Sequence, residues 1–193
     1  MLKTENLVDL FQATGKKLLL LDYDGTLVNF KANPEDATPS ADILDILKRL
    51  GSRKDLDVVI ISGRDSQDIE SMLGHLPVGL IAEHGSIIKK HNKWKNLIDD
   101  NGRWKSYLFS SLVEYTLKCP GSFVEEKEFS LCWHYRNCNE KQGSYYAEEL
   151  VEEMDLYLKK FNLKVLNGKK VLEFLPANTD KGRATMLLMQ QKK

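Results

Sequence analysis

The chain has 193 residues with 28 basic and 28 acidic side chains, enough for one domain, or one domain interrupted by a smaller one, and for a real core. With no net field to draw it onto nucleic acid or a membrane surface, any anion has to be held by a local site. Three cysteines, Cys119, Cys132 and Cys138, with no C-x-x-C pair, predict reduced thiols in a cytoplasmic protein rather than a disulfide framework.

The first segment, "MLKTENLVDLFQATGKK", is broken by Lys3, Glu5 and Asp9. It predicts a short amphipathic helix carrying Leu7, Leu10 and Phe11, and neither a signal peptide nor a membrane span. Next comes "KLLLLDYDGTLVNF", a continuous apolar run of the kind found in a parallel strand buried on both faces. It delivers two acids, Asp22 and Asp24, onto a Gly-Thr turn. Charged side chains are expensive to desolvate without a partner, so a cation or a reacting group is expected there.

"TPSADILDILKRLG" then predicts a helix capped by Thr38, with Pro39 in its first turn. Its apolar face carries Ile43, Leu44, Ile46, Leu47 and Leu50, and Gly51 ends it. With the second apolar run, "LDVVIISGR", this makes a β-α-β unit. Asp65 is the expected cap of a further helix, and "VGLIAEHG" supplies a third strand. Residues 1–85 therefore read as doubly wound, with ligands beyond the carboxyl ends of the strands.

Residues 86–170 change character. They hold Trp94, Trp104 and Trp133, a helical "RWKSYLFSSLVEYTLK", and an alternating "SFVEEKEFSLCWHYR" that predicts antiparallel strands. A long helix, "YYAEELVEEMDLYLKKF", leads into "LKVLNGKKVLEFLP", where Asn167-Gly168 predicts a hairpin turn. This middle portion is expected to be an α+β insert, and residues 171–193 the return to the core. Cys132, His134 and Cys138 match no standard structural zinc spacing and lack a fourth ligand. Cys132 and His134 share a strand face merely by pleating.

Taken together, "DYDGTLV", "VVIISGR" and "TDKGRA" resemble the first three signature motifs of the haloacid dehalogenase (HAD) superfamily phosphatases. Within it, "IAEHGSIIKK", "PGSFVEEKEFSLCWHYR" and "GKKVLEFLPANTDKGRA" are similar to the trehalose-6-phosphate phosphatase family over nearly the whole chain. The resemblance implies an α/β fold: a HAD-like Rossmannoid core with a parallel sheet and an inserted α+β cap of the C2 type. It also implies hydrolysis of trehalose 6-phosphate, with Asp22 as the nucleophile and Asp24 as the proton donor and acceptor. Thr26, Ser62, Gly63 and Lys181 fall at phosphate-binding positions, and Glu83, Glu126, Lys127, Arg136 and Glu173 at substrate-binding ones. Mg²⁺ is the implied cofactor, held by the Asp22 carboxylate and the Asp24 carbonyl. A trehalose-6-phosphate synthase domain or subunit is the implied partner.

The family pattern continues past the third motif to a strand with an acidic "GDDxTDE" loop, whereas this sequence ends at "ATMLLMQQKK". Two expectations follow: a phosphatase whose activity is impaired by truncation, or a non-catalytic sugar-phosphate-binding or regulatory subunit of a synthase complex. A HAD phosphatase for another sugar phosphate is a third.

Overall fold

The computed structural model describes residues 9, 11–13, 15–31, 34–90 and 92–190. Leu7 and Leu10 of the expected first helix lie outside them. Asp9 and residues 11–13 are helical, and the Phe11 ring lies 4.7 Å from the Lys17 ammonium.

The chain divides into two compact units, Met1–Leu97 with Lys181–Lys193, and Ile98–Asp180. In the first, β1 (Lys17–Asp22) is followed by α1 (Ala41–Gly51), β2 (Leu56–Ile61), α2 (Ser66–Leu73), β3 (Gly79–Ala82), β4 (Ile87–Lys90) and β5 (Lys93–Asn96). They form one five-stranded sheet in the order β1-β2-β3-β4-β5. β1, β2 and β3 are parallel, as their unbroken apolar runs predict, but β1, first in the sheet order, is half-buried rather than buried on both faces; β4 and β5 are antiparallel. The first boundary therefore falls later than the expected one after residue 85, because the β4-β5 hairpin is hydrogen-bonded onto the edge of β3.

The helix cap in this unit moves two residues from the expected Thr38. Ser40 is the N-cap of α1, its Oγ accepting from Ile43 N at 3.4 Å, and Pro39 stands outside the helix. Leu47 is the buried anchor of α1, while Ile46, off that stripe, is exposed. Asp65 caps α2 as expected, accepting from Asp68 N at 2.7 Å.

The second unit contains α3 (Lys105–Lys118), β6 (Phe123–Glu126), β7 (Leu131–His134), α4 (Glu140–Lys160), β8 (Leu163–Gly168) and β9 (Val171–Pro176). Its four strands are antiparallel in the order β6-β7-β9-β8. Here the return to the core comes after Asp180 rather than after residue 170, since β9 is paired on both sides within this sheet. The hairpin predicted at Asn167-Gly168 turns instead at Lys169 and Lys170. Gly168 pairs with Val171, and Lys170 takes the left-handed φ of 62°. α4 begins before the expected Tyr145 because Asn139 caps it, accepting from the amides of Lys141 and Gln142. Leu108, Leu112, Leu131, Trp133, Leu150, Met154 and Phe174 pack α3 and α4 onto one face of the sheet, each almost wholly buried. Burial of side chains of this size contributes about 1.5–3 kcal/mol apiece relative to exposure.

The chain then returns to the first unit as α5 (Lys181–Gln190), whose Ala184 and Leu188 pack with Val59, Ile61, Ile81 and Ile88. Among the described residues no helix is long and apolar enough to cross a membrane.

Candidate active site

The register of the parallel strands sets the first part of the site. Asp22 pairs with Ile61, so Asp22, the last residue of β1, and Ser62, the first after β2, stand at neighbouring positions at the carboxyl ends of the two strands. Asp22 is exposed. The next residue, Tyr23, turns inward and is wholly buried; its hydroxyl donates to the Ala37 carbonyl at 2.8 Å and lies 3.0 Å from Met72 Sδ. Burial pushes its pKa up to about 12, against the pull of Arg64. The amides of Leu27 and Val28 return to the Tyr23 carbonyl, and Gly25 takes φ 84°. This closed loop turns Asp24 back outward. Thr26 is exposed on the same loop.

Arg64 is the group that the motif reading left out. Its Nε and Nη2 donate to the two oxygens of Asp24 at 3.1 and 2.9 Å, and Nη1 donates to Asp68 at 2.7 Å. The guanidinium also lies 5.0 Å from the Tyr23 ring centroid. Only 7% of the Arg64 side chain is exposed. Burial works against its charge, but the hydrogen bonds that it donates to Asp24 and Asp68 outweigh it and carry the pKa above the usual arginine range. The spacing of Arg64 and Asp68, one helical turn apart, was a visible signal for this pair. The link to Asp24, 40 positions away, was not.

Ser62 is buried, and its Oγ accepts the Arg64 amide at 3.0 Å. Glu83 N donates to the Arg64 carbonyl and His84 N to the Ser62 carbonyl, both at 2.9 Å. Glu83, His84 and Gly85 all take positive φ, 44°, 55° and 104°. This unusual turn lays the His84 ring where a Cβ on residue 63 would come within 2.4 Å, so any other residue at Gly63 would have to displace that ring. Glu83 itself is buried beside the second motif rather than grouped with the other expected sugar-reading residues, which belong to the second unit. Lys181, the first residue of α5, donates to Asp22 Oδ1. The structure thus brings Asp22 and Lys181 together, with Asp24 on the loop after β1 and Ser62 and Gly63 on the loop after β2, the two loops joined by Arg64.

In the second unit, the strand register decides which polar residues share a face. Glu125 pairs with Cys132 and Cys132 with Glu173, which makes a row across β6, β7 and β9. Lys127 Nζ lies 3.2 Å from Glu173 Oε1, and Ser130 Oγ donates to the same oxygen at 2.8 Å. Burial opposes the charge of Lys127, while Cys132, Glu173 and Glu125 carry its pKa above the ordinary lysine value. Glu126, the expected member of this group, instead reaches Lys105 at 3.3 Å. Its neighbour Glu125 takes the place, as strand pleating requires of residues spaced by two. Arg136 approaches the Lys169 carbonyl at 3.5 Å.

Residues 20–193 match the family model described as trehalose-phosphatase. The chain belongs to the trehalose-phosphatase family. A bifunctional trehalose-6-phosphate synthase/phosphatase from Thermoproteus tenax is 38% identical over 191 residues, covering 98% of this chain and 26% of that protein. A trehalose-phosphatase from Zygosaccharomyces rouxii is 37% identical over 188 residues, 95% of this chain and 21% of its own length. The solved C-terminal domain of the C. albicans trehalose-6-phosphate phosphatase superposes with a TM-score of 0.87 at 34% identity, covering 94% of this chain and 64% of that one. The chain therefore spans about a quarter of the length of these curated relatives. The fold of this trehalose-phosphatase family member is the HAD-like α/β arrangement that the motifs implied.

Proposed function

We propose that the chain carries the phosphatase half of trehalose synthesis, hydrolysing trehalose 6-phosphate to trehalose and phosphate. The observation that supports this reading best is the division of labour between two acids one residue apart: Asp22, exposed and paired with Lys181, and Asp24, gripped through both oxygens by Arg64. An Asp22 oxygen attacks phosphorus, the bond to the sugar oxygen breaks, and Asp24 gives that oxygen its proton. Water then attacks the aspartyl-phosphate while Asp24 takes the proton back. Arg64 positions Asp24, which must release one of the two hydrogen bonds as it moves the proton. Lys181 offsets charge on Asp22 and the phosphate. Lys127 and Glu173, with Glu125, supply donors and acceptors of the kind a polyhydroxylated disaccharide needs.

Hard oxygen donors suit Mg²⁺. Asp22 offers an exposed carboxylate, and because Arg64 engages the Asp24 side chain, the main-chain carbonyl of Asp24 is the second donor that the family pattern names. Mg²⁺, when bound, supplies positive charge at the phosphate oxygens. The division into a phosphate-handling core and a sugar-reading cap, a cytoplasmic setting suited to reduced thiols, and a synthase domain or subunit as partner belong to the same reading.

A second reading, a sugar-phosphate-binding or regulatory subunit, is favoured by one observation. Among the described residues, no cluster of three metal-type donors forms around Asp22. Phosphate release from trehalose 6-phosphate with Mg²⁺, measured beside other sugar phosphates, separates the readings. Asp22→Asn is expected to lower that release by about a thousandfold or more. Binding without release in the unaltered chain supports the regulatory reading, faster release from another sugar phosphate reassigns the substrate, and release that survives Asp22→Asn overturns the aspartyl-phosphate route.

A further inference from the structure

The register of the second sheet assembles a donor set that the sequence spacing hid. The carboxylate of Glu125, the thiol of Cys132 and the imidazole of His134 all place a ligand atom within 4.8 Å of one another. Glu125 and Cys132 are cross-strand partners, and His134 lies two residues along β7 on the same face. His134 Nε2 is 2.7 Å from Glu125 Oε2, and the imidazole stacks on Phe123 with centroids 4.5 Å apart and planes 10° apart. The stacking and the contact with Glu125 thus fix the ring from two sides. Cys138, the other thiol nearby in sequence, points elsewhere, to the Cys119 carbonyl at 3.7 Å.

We propose that Glu125, Cys132 and His134 form a three-donor site for a divalent ion of borderline softness, zinc first among them. Nitrogen, oxygen and sulfur donors in one set are what zinc accepts and what Mg²⁺, which takes oxygens, does not. Around a tetrahedral zinc, with bonds of about 2.0–2.3 Å, donor atoms stand about 3.3–3.8 Å apart. The 2.7 Å between Glu125 and His134 has to open by about 0.6 Å or more, and any separation at the outer 4.8 Å limit has to close by about 1 Å. Coordination displaces the Cys132 proton to solvent, and the His134 proton now facing Glu125 moves to Nδ1 if Nε2 is the ligand atom; the thiolate and carboxylate together balance the two charges of the ion. Glu173, at the end of the same row, already faces Lys127 and Ser130 and is not required. Three protein donors leave the fourth position for water or an exogenous ligand, the pattern of an open zinc site rather than a closed structural one.

The test is titration of the full chain with Co²⁺ as a spectroscopic stand-in, followed by displacement with Zn²⁺. A sulfur-to-cobalt charge-transfer band that saturates at one equivalent and is bleached by Zn²⁺, but not by millimolar Mg²⁺, is expected. Cys132→Ser should remove the band and His134→Ala should weaken Zn²⁺ binding by about tenfold or more, whereas Cys138→Ser should change neither. Thermal midpoints without metal identify any variant that has failed to fold, and Glu125→Gln, which keeps the side-chain shape, provides a second independent loss of affinity. No band in the unaltered chain, or a band that persists in folded Cys132→Ser, overturns the proposal. Neither outcome bears on the phosphatase reading, since the readout does not use phosphate release.

Discussion

Asp22 and Ser62 stand at the carboxyl ends of two adjacent parallel strands, whereas Glu125, Cys132 and Glu173 stand in a row across three antiparallel ones. In the first unit, position along one strand decides what a residue can do. A buried parallel strand has no polar face, so its polar chemistry collects at the carboxyl end. In the second unit one sheet face is sealed by α3 and α4, and the other carries the row Glu125, Cys132 and Glu173 among apolar neighbours such as Leu166 and Leu175. There a residue's neighbours depend on pairing, and a shift of a single position exchanges one glutamate for another. The parallel sheet therefore concentrates its functional groups in short motifs, while the antiparallel sheet distributes them among segments as far apart as Lys127 and Glu173.

The sharpest test of the first unit is the Arg64 fork. Arg64→Ala is expected to lower phosphate release by about a hundredfold, because Asp24 loses its positioning, and to lower stability by about 1–2 kcal/mol, because the two carboxylates it leaves behind are partly solvated. In a double-mutant cycle with Asp24→Asn the two losses should be far from additive. Additive losses in release and in thermal midpoint would mean that Arg64 does not act through Asp24.

Tyr23 gives the core a signature in alkali. Its folded pKa of about 12 lies above the ordinary value of 10.0. Between those values the folded chain keeps a proton that the unfolded chain has lost. The contribution is therefore complete below pH 10 and disappears as pH rises through 12, by about 3 kcal/mol. Tyr23→Phe should flatten that part of the stability profile while costing about 1 kcal/mol at neutral pH for the lost hydrogen bond. Denaturant unfolding at pH 9 and pH 11 measures the difference, and equal pH slopes in the two proteins contradict the assignment.

For the second unit, Lys127→Ala should raise KM for trehalose 6-phosphate about tenfold with little change in kcat, since the group would bind the sugar equally in the ground and transition states. An equal fall in kcat would place Lys127 at the reacting centre instead. The smallest effect is the most specific to the comparison. Glu126→Ala should change KM by less than about twofold, its exposed pairing with Lys105 contributing no more than about 1 kcal/mol to stability. Glu125→Ala should raise KM by about fivefold, the order expected for loss of one net hydrogen bond. The reverse ranking breaks the inference that register selects the sugar-reading glutamate.

Local chemistry alone determined much of this protein. The apolar runs specified β1 and β2, Asp65 specified a helix start, and the spacing of Asp22 and Asp24 on a turn specified a place where charge had to be met, because each depends on residues adjacent in the chain. The trehalose-phosphatase motifs were legible for the same reason. Tertiary structure decided what adjacency cannot: that β4 and β5 extend the core sheet, that Arg64 reaches back to Asp24, that Glu125 rather than Glu126 faces Lys127 and Glu173, and that Cys132 and His134 find their third donor across a strand. Each of these depends on the register in which distant segments pair. Register is set by the fit of whole faces to a core, and the side chains that act are only carried along with it.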